Sequence, residues 1–247
     1  MFGMPIGALT MGQTLGIIDD TIAQRGRLLL GVVNAAKVVN MWRDERLREA
    51  VLAANLILAD GMAVVWASRL LGRRLPERVT GIDLMHEMLQ RGSERGYRVF
   101  CLGATDNVLD TTVARIHDMY PGVVVAGSRN GYFDASEEPE IAEAIRVTQP
   151  DILLAAMSSP KKEIFLARWF PRLDVPVCHG VGGAFDVLAG KVKRAPEVWQ
   201  RLGLEWLYRV VQEPRRLWRR YLVTNTLFGI MVLKERFRRK PRSTPKD

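Results

Sequence analysis

The chain has 247 residues, 48% of them apolar, and 36 Lys and Arg against 27 Asp and Glu give it a formal net charge of +9. That length buries a full core without covalent staples, so a scaffold framed by disulfides is excluded. Its two cysteines, Cys101 and Cys178, lie in apolar runs as small hydrophobes and fit a reducing compartment.

The N-terminus, MFGMPIGALT, has no basic segment ahead of a long apolar core, so export by a signal peptide is not expected. Short apolar runs at 28–33, 56–58, 99–102, 123–126, 152–156 and 175–178 read as buried strands. Between them the spacing predicts helices at 38–54, 62–71, 81–95, 107–119, 137–148, 161–169 and 198–211. Tyr120-Pro121-Gly122 and Gln149-Pro150-Asp151 punctuate helix-to-strand transitions. This alternation predicts an α/β fold of the Rossmann-like kind: a mostly parallel sheet with helices on both faces.

After Val211 the character changes. Pro214 starts or interrupts a helix, and 215–240 is basic, aromatic and apolar; Arg209 just ahead of it, Arg215, Arg216, Arg219, Arg220, Lys234, Arg236, Arg238, Arg239, Lys240 and, just beyond it, Arg242 crowd this end of the chain. We therefore expect an α/β catalytic domain over 1–211 and a basic C-terminal appendage over 212–247. The uncharged stretch 221–233 is short of the roughly 20 residues that span a bilayer, but it suits the membrane interface.

Several residues stand where chemistry is usually placed. Asp60 ends the run LILAD and precedes a helix, at the carboxyl edge of a strand. Spacing alone leaves two readings open, a helix N-cap or a reactive carboxylate. Asn34, after LLLGVV, is either a turn residue or a ligand. Gly180, Gly182 and Gly183 form a tight turn after an apolar run, with Asp186 just beyond, where backbone amides can approach a phosphate. As a dinucleotide fingerprint GVGGAF is loose and late in the chain, and the acid at the right distance, Glu205, lies inside a helix, which argues against NAD. On a helix Arg216 and Arg219 share a face and suit a diphosphate or lipid headgroups. His86, His117 and His179 lack metal-ligand spacing, so no bound metal and no cofactor are expected. Trp199, Trp206 and Tyr208 read as packing residues, and Trp218 as an interfacial one.

Read together, VNAAKVVN (33–40), LADGMAVVWASRLLG (58–72), RVTGIDLM (78–85), VFCLGA (99–104), DILLAAMSSPKKE (151–163) and the stretch 180–220 resemble, in order and spacing, the WecG/TagA/CpsF glycosyltransferases. The resemblance implies transfer of a sugar, such as N-acetylmannosamine or a uronic relative, from a UDP-sugar to a polyprenyl-diphosphate-linked saccharide. It implies a cytoplasmic enzyme peripheral on the membrane's inner face, meeting an anionic membrane surface. Asp60 would be the base of an inverting transfer, while Asn34 and Asp186, with Gly182 and Gly183, would hold the nucleotide sugar. Arg78, Arg209, Arg216 and Arg219 would hold diphosphate.

Two departures stand out: Val32 replaces a family threonine two residues before the asparagine, and Lys162 replaces a glutamine that lines the site. An added cation there suits an acidic donor sugar or a phosphate. The competing classes are a basic module that binds nucleic acid or membrane without catalysis, and a nicotinamide-dependent oxidoreductase. We expect no nucleic acid partner, and the sequence leaves self-association into a homo-oligomer open.

Overall fold

A computed structural model describes residues 1–238. Arg239, Lys240, Arg242 and the polar end of the expected appendage lie outside the described residues, as does the side chain of Arg216.

The first helix, α1 (Met11–Ala23), escaped the apolar spacing, although Thr10 and Gln13 cap it reciprocally. Strand β1 (Leu28–Val33) follows, then α2 (Ala35–Arg43) and α3 (Glu45–Leu52). These two were expected as one helix. Asp44 divides them, because its extended backbone ends α2 while its carboxylate accepts the Leu47 N–H of α3. Next come β2 (Leu56–Ala59), α4 (Met62–Leu70), α5 (Gly81–Arg95), β3 (Arg98–Gly103), α6 (Asp106–Met119) and β4 (Val124–Arg129). The alternation continues through α7 (Glu138–Val147), β5 (Ile152–Ala156), α8 (Lys161–Leu173), β6 (Val177–Gly180) and α9 (Ala184–Leu188).

The C-terminal part is α10 (Glu197–Arg201), α11 (Glu205–Gln212) and α12 (Pro214–Arg238). Gly203, at φ +70°, separates α10 from α11 where a single helix was expected.

All strand pairs are parallel, in the order β2-β1-β6-β5-β3-β4. From β1 the chain moves outward to β2, whereas β6 reaches β1's other edge from β5. The crossovers therefore diverge between β1 and β6 and open a crevice at their carboxyl ends, where such sheets bind ligands. Both sheet faces are covered, as a parallel sheet requires. Leu28, Leu30 and Val32 join α1 and α5 in one core, Leu29 joins α8 in another, and Val33 meets α2, α4 and the α12 residues Phe228 and Val232 in a third.

Candidate active site

Asp60 follows β2 directly, but it is not the cap of α4; that position belongs to Gly61. Its Oδ1 accepts the Gly81 N–H at 2.9 Å, and its Oδ2 lies 3.4 Å from the Asn34 Nδ2 donor. Asn34 is the N-cap of α2, its Oδ1 accepting the Lys37 N–H at 3.0 Å. The amino ends of α2, α4 and α5 thus converge on one carboxylate, and their orphan N–H groups and dipoles favour anions there.

Behind Gly81 stands His179, on β6 between Leu30 and Leu154 and fully buried. Burial pulls its imidazole down to about 4, so it is neutral at pH 7. Its Nε2 lies 3.1 Å from the Gly81 carbonyl, which makes Nε2 the protonated nitrogen. Among the described residues its Nδ1 has no hydrogen-bond partner. The Gly81 residue is therefore held from both sides, its carbonyl by His179 and its N–H by Asp60. Val32, where the family threonine is missing, is buried beside them on the same sheet face. The site has no hydroxyl at this position.

A cavity of about 800 Å³ opens in front of Asp60, within the size range of small-molecule sites. Asn34, Asp60, Gly183, Asp186, Arg78 and Arg209 line it, as expected, and so do Arg194 and Arg220, which the sequence reading passed over. Gly182, Lys162 and Arg219 stand outside its lining. Gly182 shapes the turn instead, at φ +56°. Asp186, in the first turn of α9, pairs with Lys191 at 3.5 Å.

The arginines are not equivalent. Arg78 pairs with Glu205 of α11 at 2.5 Å. Arg194 reaches Asp83 of α5 at 2.6 Å and Glu205 at 3.8 Å, and Asp83 in turn accepts the Thr80 hydroxyl. Two guanidinium groups thus share Glu205, the residue weighed as a ribose-binding acid, which ties α11 to the sheet edge. Arg219 turns away and lies over the Trp218 ring, 6.0 Å from its centroid, while Arg220 takes the cavity wall.

Lys162 runs beneath the glycine turn. A side-chain carbon on Gly180 would come within 3.2 Å of its Cε, so the glycine makes room for the lysine. Its ammonium bonds Glu163 at 2.7 Å, as does that of Lys37. Burial would raise the Glu163 carboxyl, but Lys37 and Lys162 overcome this and hold it at about 2. Burial, then the Lys37 charge, lowers Lys162 itself. Two cations to one carboxylate leave a positive surplus under the turn.

His86 contacts the Tyr120 hydroxyl at 2.6 Å and His117 is exposed. Cys101 and Cys178 are buried free thiols, Cys101 pushed up to about 12 by burial. Among the described residues no helix is long and apolar enough to cross a membrane.

The family model described as "Glycosyl transferase WecG/TagA/CpsF family" matches residues 1–242. The chain belongs to this family. A Bacillus spizizenii protein named N-acetylglucosaminyldiphosphoundecaprenol N-acetyl-beta-D-mannosaminyltransferase is 37% identical over 197 residues, which cover 79% of this chain and 76% of the relative. In this WecG/TagA/CpsF glycosyltransferase Asp60 is fixed by backbone and amide donors at the sheet edge, and arginines from the loops and C-terminal helices line the same cavity. A carboxylate in that position can take a proton from a hydroxyl, and the arginines can receive a departing anion.

Proposed function

We propose that this chain moves N-acetylmannosamine, or a related or uronic sugar, from a UDP-sugar to a polyprenyl-diphosphate-linked saccharide, with inversion, in building a cell-surface polymer. The observation that carries the reading is one cavity lined by Asp60 together with Arg78, Arg194, Arg209 and Arg220. Asp60 takes the proton of the acceptor hydroxyl as that oxygen bonds to the anomeric carbon. On the opposite face the bond from the anomeric carbon to the diphosphate breaks, and UDP departs with its added charge against the guanidinium groups. Asn34, Gly183 and Asp186 hold the nucleotide sugar, and Lys162 adds positive potential from beneath the turn.

The 37% identical relative, whose name contains a diphosphoundecaprenol-linked acceptor, supports the acceptor class. Exposed Trp218, Leu222, Leu233 and Phe237 among the arginines of α12 support a peripheral seat on the inner face of the cell membrane, with 212–247 as the membrane-associating appendage.

The test is transfer from a panel of UDP-sugars to a short-chain polyprenyl-diphosphate-N-acetylglucosamine acceptor, with wild type beside Asp60→Asn. Product from wild type, lost by a factor of about 1,000 in the variant at unchanged melting temperature, is expected. Absence of product from every donor overturns the reading.

A further inference from the structure

β2 is the outermost strand on its side of the sheet, and its open edge is not left bare. Ile6 forms a parallel bridge with Ile57, and the Gly7 N–H donates to the Ile57 carbonyl at 2.8 Å, so residues 1–7 run alongside this edge. Ahead of the bridge the chain folds into a tight turn, closed by the Met4 N–H on the Met1 carbonyl at 2.8 Å. Phe2 stands in that turn at φ +52° and Gly3 at φ +72°. Glycine takes this left-handed backbone freely, but a bulky aromatic residue adopts it only where its contacts hold it there.

Those contacts are made with α12. The Phe2 ring lies 5.4 Å from the Phe228 ring, centroid to centroid, and the Phe2 N–H donates to the Glu235 carboxylate at 2.8 Å. Met4 is buried in the same core as Phe228 and Val232. Phe228 and Glu235 are two helical turns apart, so the segment touches α12 at two points about 10 Å apart along its axis. Two points on one side of a helix fix its rotation as well as its position.

Rotation matters at the other end of the same helix. The buried residues Leu217, Thr224, Phe228 and Val232 follow at helical spacing and mark the inner face of α12. Arg220 falls on that face, between Leu217 and Thr224, and lines the cavity. Arg219 stands about 100° round the axis and lies over the Trp218 ring. A turn of that size exchanges the two arginines. α11, which leads into α12, buries no residue and adds little to hold the register.

We propose that residues 1–7 are a strap that sets the rotation of α12, with Phe2 as a positioning residue for transfer. Phe2 stands outside the cavity, and by holding Phe228 and Glu235 it keeps Arg220 rather than Arg219 turned to the substrate. This rests on the transferase reading above. Simple burial of Phe2 would add stability without choosing between two neighbouring arginines, and that difference can be measured.

The experiment compares transfer by the full-length chain carrying Phe2→Ala, Phe2→Leu, Arg220→Ala or Phe2→Ala with Arg220→Ala, with the melting temperature of each as the check on folding. Phe2→Ala is expected to lower kcat/KM about 5-fold, and Phe2→Leu, which keeps an apolar side chain on Phe228, less than about 2-fold. Added to Arg220→Ala, Phe2→Ala is expected to cost less than about 2-fold more, because the group it positions is already gone. An equal loss from Phe2→Ala with and without Arg220, or no loss in either, removes the strap and leaves the transferase. Hydrogen exchange keeps the two readings apart. Where wild type transfers nothing, the transferase reading falls; amides of 224–235 that exchange about 10-fold faster in Phe2→Ala, with those of the sheet unchanged, then leave the strap standing, and unchanged exchange in α12 overturns it.

Discussion

The strand ends of β1, β2 and β6 and the C-terminal helices α10 to α12 meet at one cavity but are held in different ways. Asp60 is fixed by Gly81, and Gly81 by a fully buried histidine, so the carboxylate is tied to the buried sheet. α10 and α11 have no buried residues, and α11 is joined to the sheet edge through Glu205 and two arginines. α12 is anchored more firmly, by Phe228 and Val232. Asp60 thus sits against the sheet, while Arg209 sits on α11, which buries no residue, and Arg220 on the better-anchored α12.

Four measurements test that contrast. The greatest change, the roughly 1,000-fold loss of transfer in Asp60→Asn, should leave helix docking untouched, because an asparagine oxygen still accepts the Gly81 N–H. A variant that loses its α11 contacts as well would mean the two parts are not independent.

The second concerns acid. The folded pKa of His179 is depressed to about 4 from an ordinary 6.5, so the unfolded chain takes up the proton first as pH falls. Its contribution is full above about 6.5 and is lost down to about 4, a change of about 3 kcal/mol. His86, also lowered, by burial and then by Arg194, adds in the same sense. Urea melts across this range should show a steep loss in wild type, a shallower one in His179→Gln, and a smaller relief in His86→Gln. The Glu163 carboxylate, held at about 2 against an ordinary 4.5, keeps its contribution above 4.5 and loses it as pH falls through 2, so the windows separate.

Third, Arg220→Ala should lower transfer about 10-fold and Arg219→Ala less than about 2-fold, since only Arg220 lines the cavity. Equal losses would show that α12 turns about its axis when substrate binds. The smallest expected effect is the coupling between Arg78 and Glu205. A double-mutant cycle in urea melts should give about 1 kcal/mol for this partly exposed pair. A value near zero would leave α11 held by Arg194, Gln212 and α12.

Much of the architecture was legible in local sequence. Apolar runs marked the six strands, and the residues after them, Asn34, Asp60 and Gly183, do line the cavity. Helix α1 was missed although Met11, Leu15, Ile18 and Ile22 fall at helical spacing and the Thr10 and Gln13 capping signal was there to read. The break at Gly203 was also visible as a glycine inside a helical pattern. Arg194 and Arg220 were not legible as site residues, because Lys193 and Arg219 beside them offer the same charge; Lys193 lines the cavity with Arg194, whereas packing direction separates Arg220 from Arg219.

The chain's own order of residues dictates an alternating parallel α/β sheet, the placing of a carboxylate after β2 and of glycines after β6, and membership of a glycosyltransferase family, because strand periodicity, turn chemistry and motif spacing are local properties. Which groups face one another is not local. The pairing of β1 with β6, 149 residues apart at Leu29 and Cys178, brings His179 behind Gly81, and the fold of α12 back over α2 turns two unremarkable helix faces into the walls of one groove. Side-chain direction depends on what packs behind each element, and that is fixed only when distant segments close on each other.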